Sequence, residues 1–467
     1  MQLRDYQQDL FTHIFQAFTE SRRVMLQLPT GGGKTIIFSV VVHEFVNRGD
    51  KVLVLAHRTE LIIQAAEKLK AIAPDVEIGI IKAGYKPNYH TSIQVASVQS
   101  LKRRLHRLKP EEFGLVIIDE AHHSTAATYR HILEHFPDSY QLGVTATPIR
   151  TNGEGFADLF DEMITGITVS DLIKAGYLSP FKLYAASNSM ITTGAKIKQG
   201  DFSSKDVAQL NNIVELAGDL LQSYRQHANG LSCVIFAVNV AHSMAITQRY
   251  NAAGIAAKHL DGNTPQDERE ATLAAFRRGE LKIISNVGLF TEGLDIPNLM
   301  AVQVARPTKS LSLWLQMVGR VLRICEGKSN AIILDHTKNY AIHGLPTRRR
   351  VWSLFGVKQD EVKLKRLPSG EVILEPEEPT VIEETPIRLI EVSQDEEPLI
   401  PPDFWEKWLA EQFRIIEHRG YKKGWLVYRL VEEKPPLEVW RKAADYLNYQ
   451  QGWAWHKWRE HCQPEAA

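Results

Sequence analysis

Two short segments hold the side chains best suited to chemistry. Leu28-Pro29-Thr30-Gly31-Gly32-Gly33-Lys34-Thr35 follows an apolar run, Val24 to Leu28, and precedes an apolar-patterned helix that begins near Thr35. Successive N–H groups of such a loop, backed by a helix N-terminus, form a cradle sized for phosphates. Thr30, Gly31, Gly32 and Gly33 line it, Lys34 reaches the β- and γ-phosphates, and the Thr35 hydroxyl ligates Mg²⁺. The strict G-x-x-x-x-G-K-[ST] pattern fails at one residue, because Leu28 stands where the first glycine belongs. Downstream, the apolar run Leu115 to Ile118 ends in Asp119-Glu120-Ala121-His122. Asp119, at the carboxyl end of a strand, is positioned to hold Mg²⁺, and Glu120 to orient an attacking water. Together the segments imply hydrolysis of a nucleoside triphosphate.

The elements that must hold these residues are legible as alternation. Apolar runs at Met25 to Leu28, Val52 to Ala56, Ile93 to Ala96, Val116 to Ile118 and Leu142 to Val144 are separated by helical patterns. That order predicts an α/β fold with a parallel sheet covered by helices on both faces. A second set follows: Cys233 to Ala237, Ala257 to Leu260, Lys282 to Ser285, Ala301 to Val304 and Ala331 to Leu334. The expected division is a first α/β domain at 1–165, a connector at 166–205 and a second α/β domain at 206–350. An acidic linker at 351–400 and a small helical domain at 401–467 complete it. With a phosphate loop in the first domain alone, nucleotide is expected between the two α/β domains.

From Glu371 to Glu397 the chain carries ten acids and one base, Arg388, which reads as a solvated linker with a short hairpin around Pro368-Ser369-Gly370. Beyond Pro401 lie seven of the nine tryptophans. There Gly420-Tyr421-Lys422-Lys423-Gly424-Trp425-Leu426-Val427-Tyr428-Arg429 matches Asn448-Tyr449-Gln450-Gln451-Gly452-Trp453-Ala454-Trp455-His456-Lys457. Two copies of one helical unit would pack their tryptophans together; base stacking by the same aromatics is the alternative.

Composition narrows the partners. The 55 basic and 55 acidic residues leave no net field, so a nucleic acid would need a local basic surface. Lys102-Arg103-Arg104-Leu105-His106-Arg107-Leu108-Lys109 is one candidate and Arg348-Arg349-Arg350 another. The three cysteines (Cys233, Cys325, Cys462) are far apart, which excludes a CxxC zinc cluster and a disulfide framework. No apolar run approaches membrane-spanning length and the N-terminus has no signal core. A cytoplasmic chain with no membrane partner is expected.

The remaining motifs fall in a characteristic order. Arg4-Asp5-Tyr6-Gln7 precedes the phosphate loop. Ala56-His57-Arg58-Thr59-Glu60-Leu61, Ala96-Ser97-Val98-Gln99-Ser100-Leu101, the DEAH box and Gly143-Val144-Thr145-Ala146-Thr147-Pro148 follow it. The second half carries Val234-Ile235-Phe236-Ala237, Thr291-Glu292-Gly293-Leu294-Asp295 and Gln316-Met317-Val318-Gly319-Arg320-Val321-Leu322-Arg323. Across residues 3 to 335 this order resembles the superfamily 2 DEAD/DEAH-box helicases and translocases. Ala305-Arg306-Pro307-Thr308-Lys309-Ser310 and Ile333-Leu334-Asp335-His336 make the second half most similar to the RadD-like DNA-repair ATPases and the XPB-like and UvsW-like helicases. RadD-like chains carry a cysteine-rich zinc region after the second domain, and here the Trp-rich repeat stands instead.

The resemblance implies two tandem RecA-like domains with parallel sheets, ATP and Mg²⁺ as cofactors, and ATP-driven movement on DNA in repair, recombination or fork processing. Gln7, with Arg4 beside it, would read adenine. Gly293 and Asp295 would join the nucleotide site. Catalysis would fall to Lys34, Glu120, Gln316, Arg320 and Arg323, the two arginines lying on one helix face and Arg323 acting as the arginine finger. His122 would relay the γ-phosphate state, and Thr145 and Thr147 would couple hydrolysis to movement. Nucleic-acid contacts would come from His57, Arg58, Ser97, Gln99, Asn239, Gly262, Asn263 and Thr291. DNA, whether duplex, forked or branched, is the expected partner ahead of RNA, with a protein partner for the C-terminal repeat. The rivals are an RNA helicase, the motor subunit of a restriction or defence complex, and an ATP-gated nucleic-acid binding protein.

Overall fold

The structure, a computed structural model, describes residues 3–57, 59–121, 126–150, 153–186, 195–198, 201–210, 213–290, 296, 298–337, 339–356, 364–366, 372–374, 389–392, 400 and 403–462. Contacts divide the chain into two compact units, Met1–Thr347 with Leu354–Glu396, and Arg348–Ser353 with Glu397–Ala467.

The first unit is built on two sheets, each seven-stranded among the described residues. In the first lobe, β1 (Arg23–Gln27), β2 (Val52–Ala56), β3 (Ile78–Ile81), β4 (Ile93–Ser97), β5 (Leu115–Asp119), β6 (Tyr140–Thr145) and β7 (Glu162–Thr165) run in the order β3-β4-β2-β5-β6-β1-β7. All their pairings are parallel. The central strands are buried along their whole length, because helices cover both faces and every side chain must be apolar or satisfied. On one face α1 (Asp5–Glu20), α2 (Lys34–Asn47) and α3 (Thr59–Ile72) contribute Leu10, Ile14, Ile37, Val41, Leu61 and Leu69 to the core. On the other, α4 (Val98–Arg104) and α5 (Ala126–His135) contribute Leu101, Tyr129 and Ile132.

A short helix, α6 (Val169–Lys174), leads into the second lobe. Its first strand, β8 (Phe181–Ala186), lies within the stretch expected as connector and instead pairs in parallel with a strand late in the chain. A two-residue ribbon, β9 (Ile197–Lys198) and β10 (Asp201–Phe202), precedes α7 (Ser204–Leu210) and α8 (Ile213–His227). Then β11 (Cys233–Ala237), α9 (Val240–Ala252), β12 (Ala257–Leu260), α10 (Gln266–Arg277), β13 (Ile283–Asn286), β14 (Ala301–Ala305), α11 (Leu311–Gly319), β15 (Ala331–Asp335) and α12 (Asn339–His343) follow. The hairpin β16 (Leu364–Arg366) with β17 (Val372–Leu374) flanks Pro368-Ser369-Gly370, which lie outside the described residues. The acidic stretch also yields β18 (Leu389–Glu391), antiparallel to β8, with Glu391 paired to Lys182 at 3.1 Å. The sheet order is β12-β13-β11-β14-β15-β8-β18.

The chain then returns to the first lobe. Leu354 is buried in the α4/α5 core, its carbonyl accepts from the N–H groups of Phe156 (2.5 Å) and Ala157 (2.9 Å), and Gly356 bridges Glu154. Gly155 permits this contact: a Cβ there would lie 1.9 Å from the Leu354 carbonyl oxygen and 2.2 Å from the Gly356 nitrogen, both backbone atoms that cannot swing away. Gly155→Ala should therefore cost about 2 kcal/mol or more, and lower the melting temperature by about 4–8 °C. An unchanged thermal transition would mean that the Leu354 segment does not hold the lobe.

The second unit is formed by α13 (Phe404–Arg419), α14 (Gly424–Glu433), α15 (Leu437–Leu447) and α16 (Gln451–Cys462). Its halves repeat in backbone detail. Gly420 and Asn448 close α13 and α15 in the left-handed conformation, at φ 65° and 60°. The next N–H, of Tyr421 or Tyr449, reaches back five residues to Ile416 or Ala444, a Schellman-type stop. Each tyrosine then packs on the tryptophan four residues on: Tyr421 on Trp425 at 5.2 Å between centroids, Tyr449 on Trp453 at 4.8 Å. Leu426 and Ala454, one position further, are fully buried.

Candidate nucleotide and nucleic-acid site

β1 ends at Gln27 and α2 starts at Lys34, so the glycine-rich loop is a strand-to-helix turn with Gly33 capping the helix in the left-handed conformation, φ 84°. An L side chain at Gly33 would be strained there, and its Cβ would fall 2.5 Å from Nε2 of Gln7. Gln7 is 2 % exposed and fixed at both ends of its amide. Its Oε1 accepts from the Arg4 N–H at 3.1 Å, and its Nε2 donates to the Tyr6 hydroxyl, which donates to the Gly32 carbonyl at 2.9 Å. The Arg4 guanidinium lies over the ring of Tyr177, 4.0 Å from its centroid, and that ring also meets Tyr6.

Lys34 lies at the centre of the charged groups. Its ammonium donates to the Leu28 carbonyl at 3.3 Å. Burial pushes its pKa down, Glu120 and Asp119 pull it up, and Arg320 and Arg323 push it down again. Burial pushes the Asp119 carboxyl up, and the adjoining Glu120 carboxylate adds to that. Glu120 follows β5 with φ 51°, a conformation that costs a non-glycine residue of order 1 kcal/mol or more and is kept where geometry over-determines it. Thr35 stands in the first turn of α2.

Mg²⁺ fits these residues. Among the described residues no three His, Cys, Asp or Glu side chains gather into a protein-only cage. One buried carboxylate and one hydroxyl suit a cation that keeps water and phosphate oxygens as its other ligands. A cation would also relieve the cost of ionising Asp119.

The second lobe meets the loop from the opposite side. A Cβ on Gly31 would lie 2.7 Å from Cδ2 of Leu178 and 3.8 Å from Cγ of Arg323. A Cβ on Gly319 would lie 2.9 Å from Cβ of Thr30. The Thr147 and Ser312 hydroxyls share a 2.5 Å hydrogen bond across the lobes, and the Thr145 hydroxyl accepts from the Thr147 N–H. α11 is set by Ser310, which caps it by accepting from the Leu313 N–H, and by Trp314, whose indole N–H donates to the Gly344 carbonyl. Gln316 is buried on α11 and donates to Ser312.

One expectation needs correction: Arg320 and Arg323 do not share a helix face. The helix ends at Gly319, Arg320 is its C-cap and only 7 % exposed, and Arg323 is bridged to Leu178. Past the helix end the Leu322 carbonyl accepts from the Ser179 N–H at 2.7 Å, so the segment pairs with the connector instead of continuing the helix.

Of the proposed nucleic-acid contacts, His57, Ser97 and Gln99 meet at the carboxyl ends of the adjacent strands β2 and β4. Ser97 donates to Gln99 Oε1 at 3.0 Å, and Gln99 Nε2 lies 3.3 Å from His57 Nδ1. Asn239 is the N-cap of α9, accepting from the His242 N–H at 2.8 Å. Gly262 and Asn263 form the turn after β12, held by Asp261 and Arg269. Arg58, His122, Thr291, Gly293 and Asp295 lie outside the described residues. Tyr177, Leu178 and Ser312 also belong to the site and are not marked in the sequence. The first two lie in the stretch read as connector and the third on an apolar helix, so no local pattern marks them.

Comparison with known proteins agrees with the fold. Residues 1–150 match the family described as type III restriction enzyme, res subunit, and residues 212–325 the helicase conserved C-terminal domain. A 51.5 kDa protein of a Lactococcus phage is 36 % identical over 70 % of this chain and 68 % of its own length. IRC3 of Saccharomyces cerevisiae, named a putative ATP-dependent helicase, is 32 % identical over 77 % of this chain and 54 % of its own. The DNA 3'-5' translocase XPB2 of Sulfurisphaera tokodaii is 26 % identical over 75 % and 85 %. The chain belongs to superfamily 2, the family of ATP-hydrolysing helicases. It spans about half the length of the yeast relative. Among the described residues no helix is long and apolar enough to cross a membrane.

Proposed function

We propose that the chain is a DNA helicase or translocase that hydrolyses ATP between its two lobes. The observation that carries this is the meeting of the glycine-rich loop of one lobe with Gly319 and Arg323 of the other, on either side of where a triphosphate would lie. Gly31, Gly32, Gly33 and Lys34 hold the phosphates, and Gln7 and Arg4 bound the adenine end. Asp119 and Thr35 hold Mg²⁺, which supplies charge neutralisation between the phosphates. Glu120 orients the attacking water and takes its proton. Arg323, with Arg320 beside it, neutralises charge that develops on the equatorial oxygens, a stabilisation strongest where water is excluded. Because one lobe brings the loop and the other the arginines, ATP favours the closed pair and hydrolysis releases it.

Movement requires a grip on each lobe. His57, Ser97 and Gln99 offer one from the first, and Asn239, Gly262 and Asn263 one from the second, as polar contacts to phosphates that carry no sequence information. Lys102, Arg103, Arg107 and Lys109 are exposed on α4 and the turn after it, directly following Ser97 and Gln99, and extend the first grip. The relative named as a DNA translocase supports DNA over RNA.

The test is steady-state ATPase activity with single-stranded DNA, duplex, forks, Holliday junctions and single-stranded RNA. The expected result is stimulation by DNA, strongest on one DNA form. Stimulation by RNA alone would make the chain an RNA helicase. The match of residues 1–150 to the restriction family favours a second reading, the motor subunit of a restriction complex. That reading expects duplex stimulation without strand separation.

A further inference from the structure

The segment that carries Arg323 has no helix to hold it, and its support comes from a lysine five residues on. We propose that Lys328 is the positioning residue of the arginine finger: its ammonium gathers the carbonyls of Val321, Arg323 and Leu299 and so fixes where Arg323 enters the nucleotide site. This inference rests on the reading of Arg323 given above.

The Lys328 Nζ donates to the Leu299 carbonyl at 2.7 Å, to the Arg323 carbonyl at 2.8 Å and to the Val321 carbonyl. An ammonium has three donors, and these three acceptors use all of them. The arrangement differs from an ordinary surface lysine in two respects. Its three partners are main-chain carbonyls, and the group is half-buried, so that burial lowers its pKa to about 8. A cation held in this way exchanges water for three backbone dipoles, and its value lies in the geometry those dipoles then share.

The three acceptors are unequal. Leu299 is 3 % exposed, packs in the second lobe's core and lies two residues before β14, so it is the fixed point. Val321 and Arg323 follow the last turn of α11, where the helix no longer satisfies its own carbonyls. Lys328 ties those loose carbonyls to the fixed one. From the other side Leu178 bridges Arg323, and the Ser179 N–H takes the Leu322 carbonyl between them. Alternate carbonyls of the segment thus point to opposite supports, Lys328 on one side and the connector on the other. Arg323 sits between, with its Cγ against the phosphate loop. A backbone shift of about 1 Å at Arg323 would move its guanidinium off the equatorial oxygens, a misplacement that can cost about 10²-fold in rate.

The experiment compares Lys328→Met, Lys328→Gln, Arg323→Ala and the double variant Lys328→Met/Arg323→Ala in the full chain. ATPase kinetics and the affinities for ADP and for ADP with aluminium fluoride, a mimic of the transferring phosphoryl group, are measured for each. Lys328→Met should lower kcat about 10²-fold with KM for ATP and affinity for ADP kept, and weaken binding of the ADP–aluminium fluoride complex by a similar factor. Lys328→Gln, with two donors left, should fall between it and the wild type. In the Arg323→Ala background Lys328→Met should change nothing further. Equal losses in both backgrounds, or a loss of ADP affinity matching that of kcat, would make Lys328 a general support of the lobe and overturn the proposal. If Lys328→Met does not fold, an unaltered kcat in Lys328→Gln overturns it equally. If instead Arg323→Ala keeps full activity, it is the finger reading that fails.

Discussion

Arg323→Ala should lower kcat for ATP by about 10³-fold or more, leave the affinity for ADP near that of the wild type, and remove tight binding of ADP with aluminium fluoride. The magnitude is that of a lost arginine finger in phosphoryl transfer. In the first lobe the cation in the phosphate loop is Lys34, whose charge is shared with Asp119 and Glu120. On the proposed reading, the charge that grows on the γ-phosphoryl group is met from the second lobe, where the Arg323 Cγ lies 3.8 Å from where a Cβ on Gly31 would stand. Folding is little affected, because the residue is only half-buried and its backbone contacts do not depend on the side chain. Arg323→Lys does not rescue, since a point charge lacks the planar fork that matches two phosphoryl oxygens. Retention of kcat within tenfold would remove Arg323 from the reaction and point to Arg320.

Glu120→Gln gives the second large effect. Turnover should fall by about 10²–10⁴-fold, the range for loss of a positioned general base, while nucleotide binding should stay at least as tight as in the wild type. The sign of the binding effect follows from the neighbours. Burial and then the Glu120 carboxylate raise the pKa of Asp119, so removing the Glu120 charge should let Asp119 ionise more readily and, on the proposed reading, hold Mg²⁺ more firmly. The protein should then accumulate bound, unhydrolysed ATP. A rapid-filtration assay that recovers ADP alone from the variant would contradict this, as would a kcat equal to the wild type.

The sequence reveals this molecule unevenly, and the reasons are physical. The fully buried parallel strands β2, β5, β11 and β15 appear as unbroken apolar runs, since a strand covered on both faces has no solvent side to encode. The edge strands β7 and β18 do not appear in the apolar pattern. β7 is Glu-Met-Ile-Thr and mostly half-exposed, while β18 is Leu-Ile-Glu inside an acidic stretch. Neither has a period long enough to stand out. Lys34, Asp119 and Glu120 were recoverable because loop, strand and helix are contiguous around them, so local spacing carries the chemistry. What spacing cannot carry is pairing between distant segments. Leu178 against Gly31, Thr147 with Ser312 and Lys328 under Arg323 exist only once the lobes are folded. Helical spacing misleads at Arg320 and Arg323, where α11 stops at Gly319 and Arg323 pairs with Leu178 instead.

Leu354 gives the first lobe an unusual schedule. Its α4/α5 core is completed by a residue almost two hundred positions beyond β7, after six of the seven strands of the second sheet. During synthesis the first lobe therefore emerges with an empty slot beside Gly155 and Phe156, and waits for the second lobe to leave the ribosome before the slot is filled. Domain-by-domain folding is the ordinary course for long chains. Here the order is interleaved, so the first lobe depends on chain made after most of the second, and a fragment that stops before residue 354 would carry its own unfinished seam.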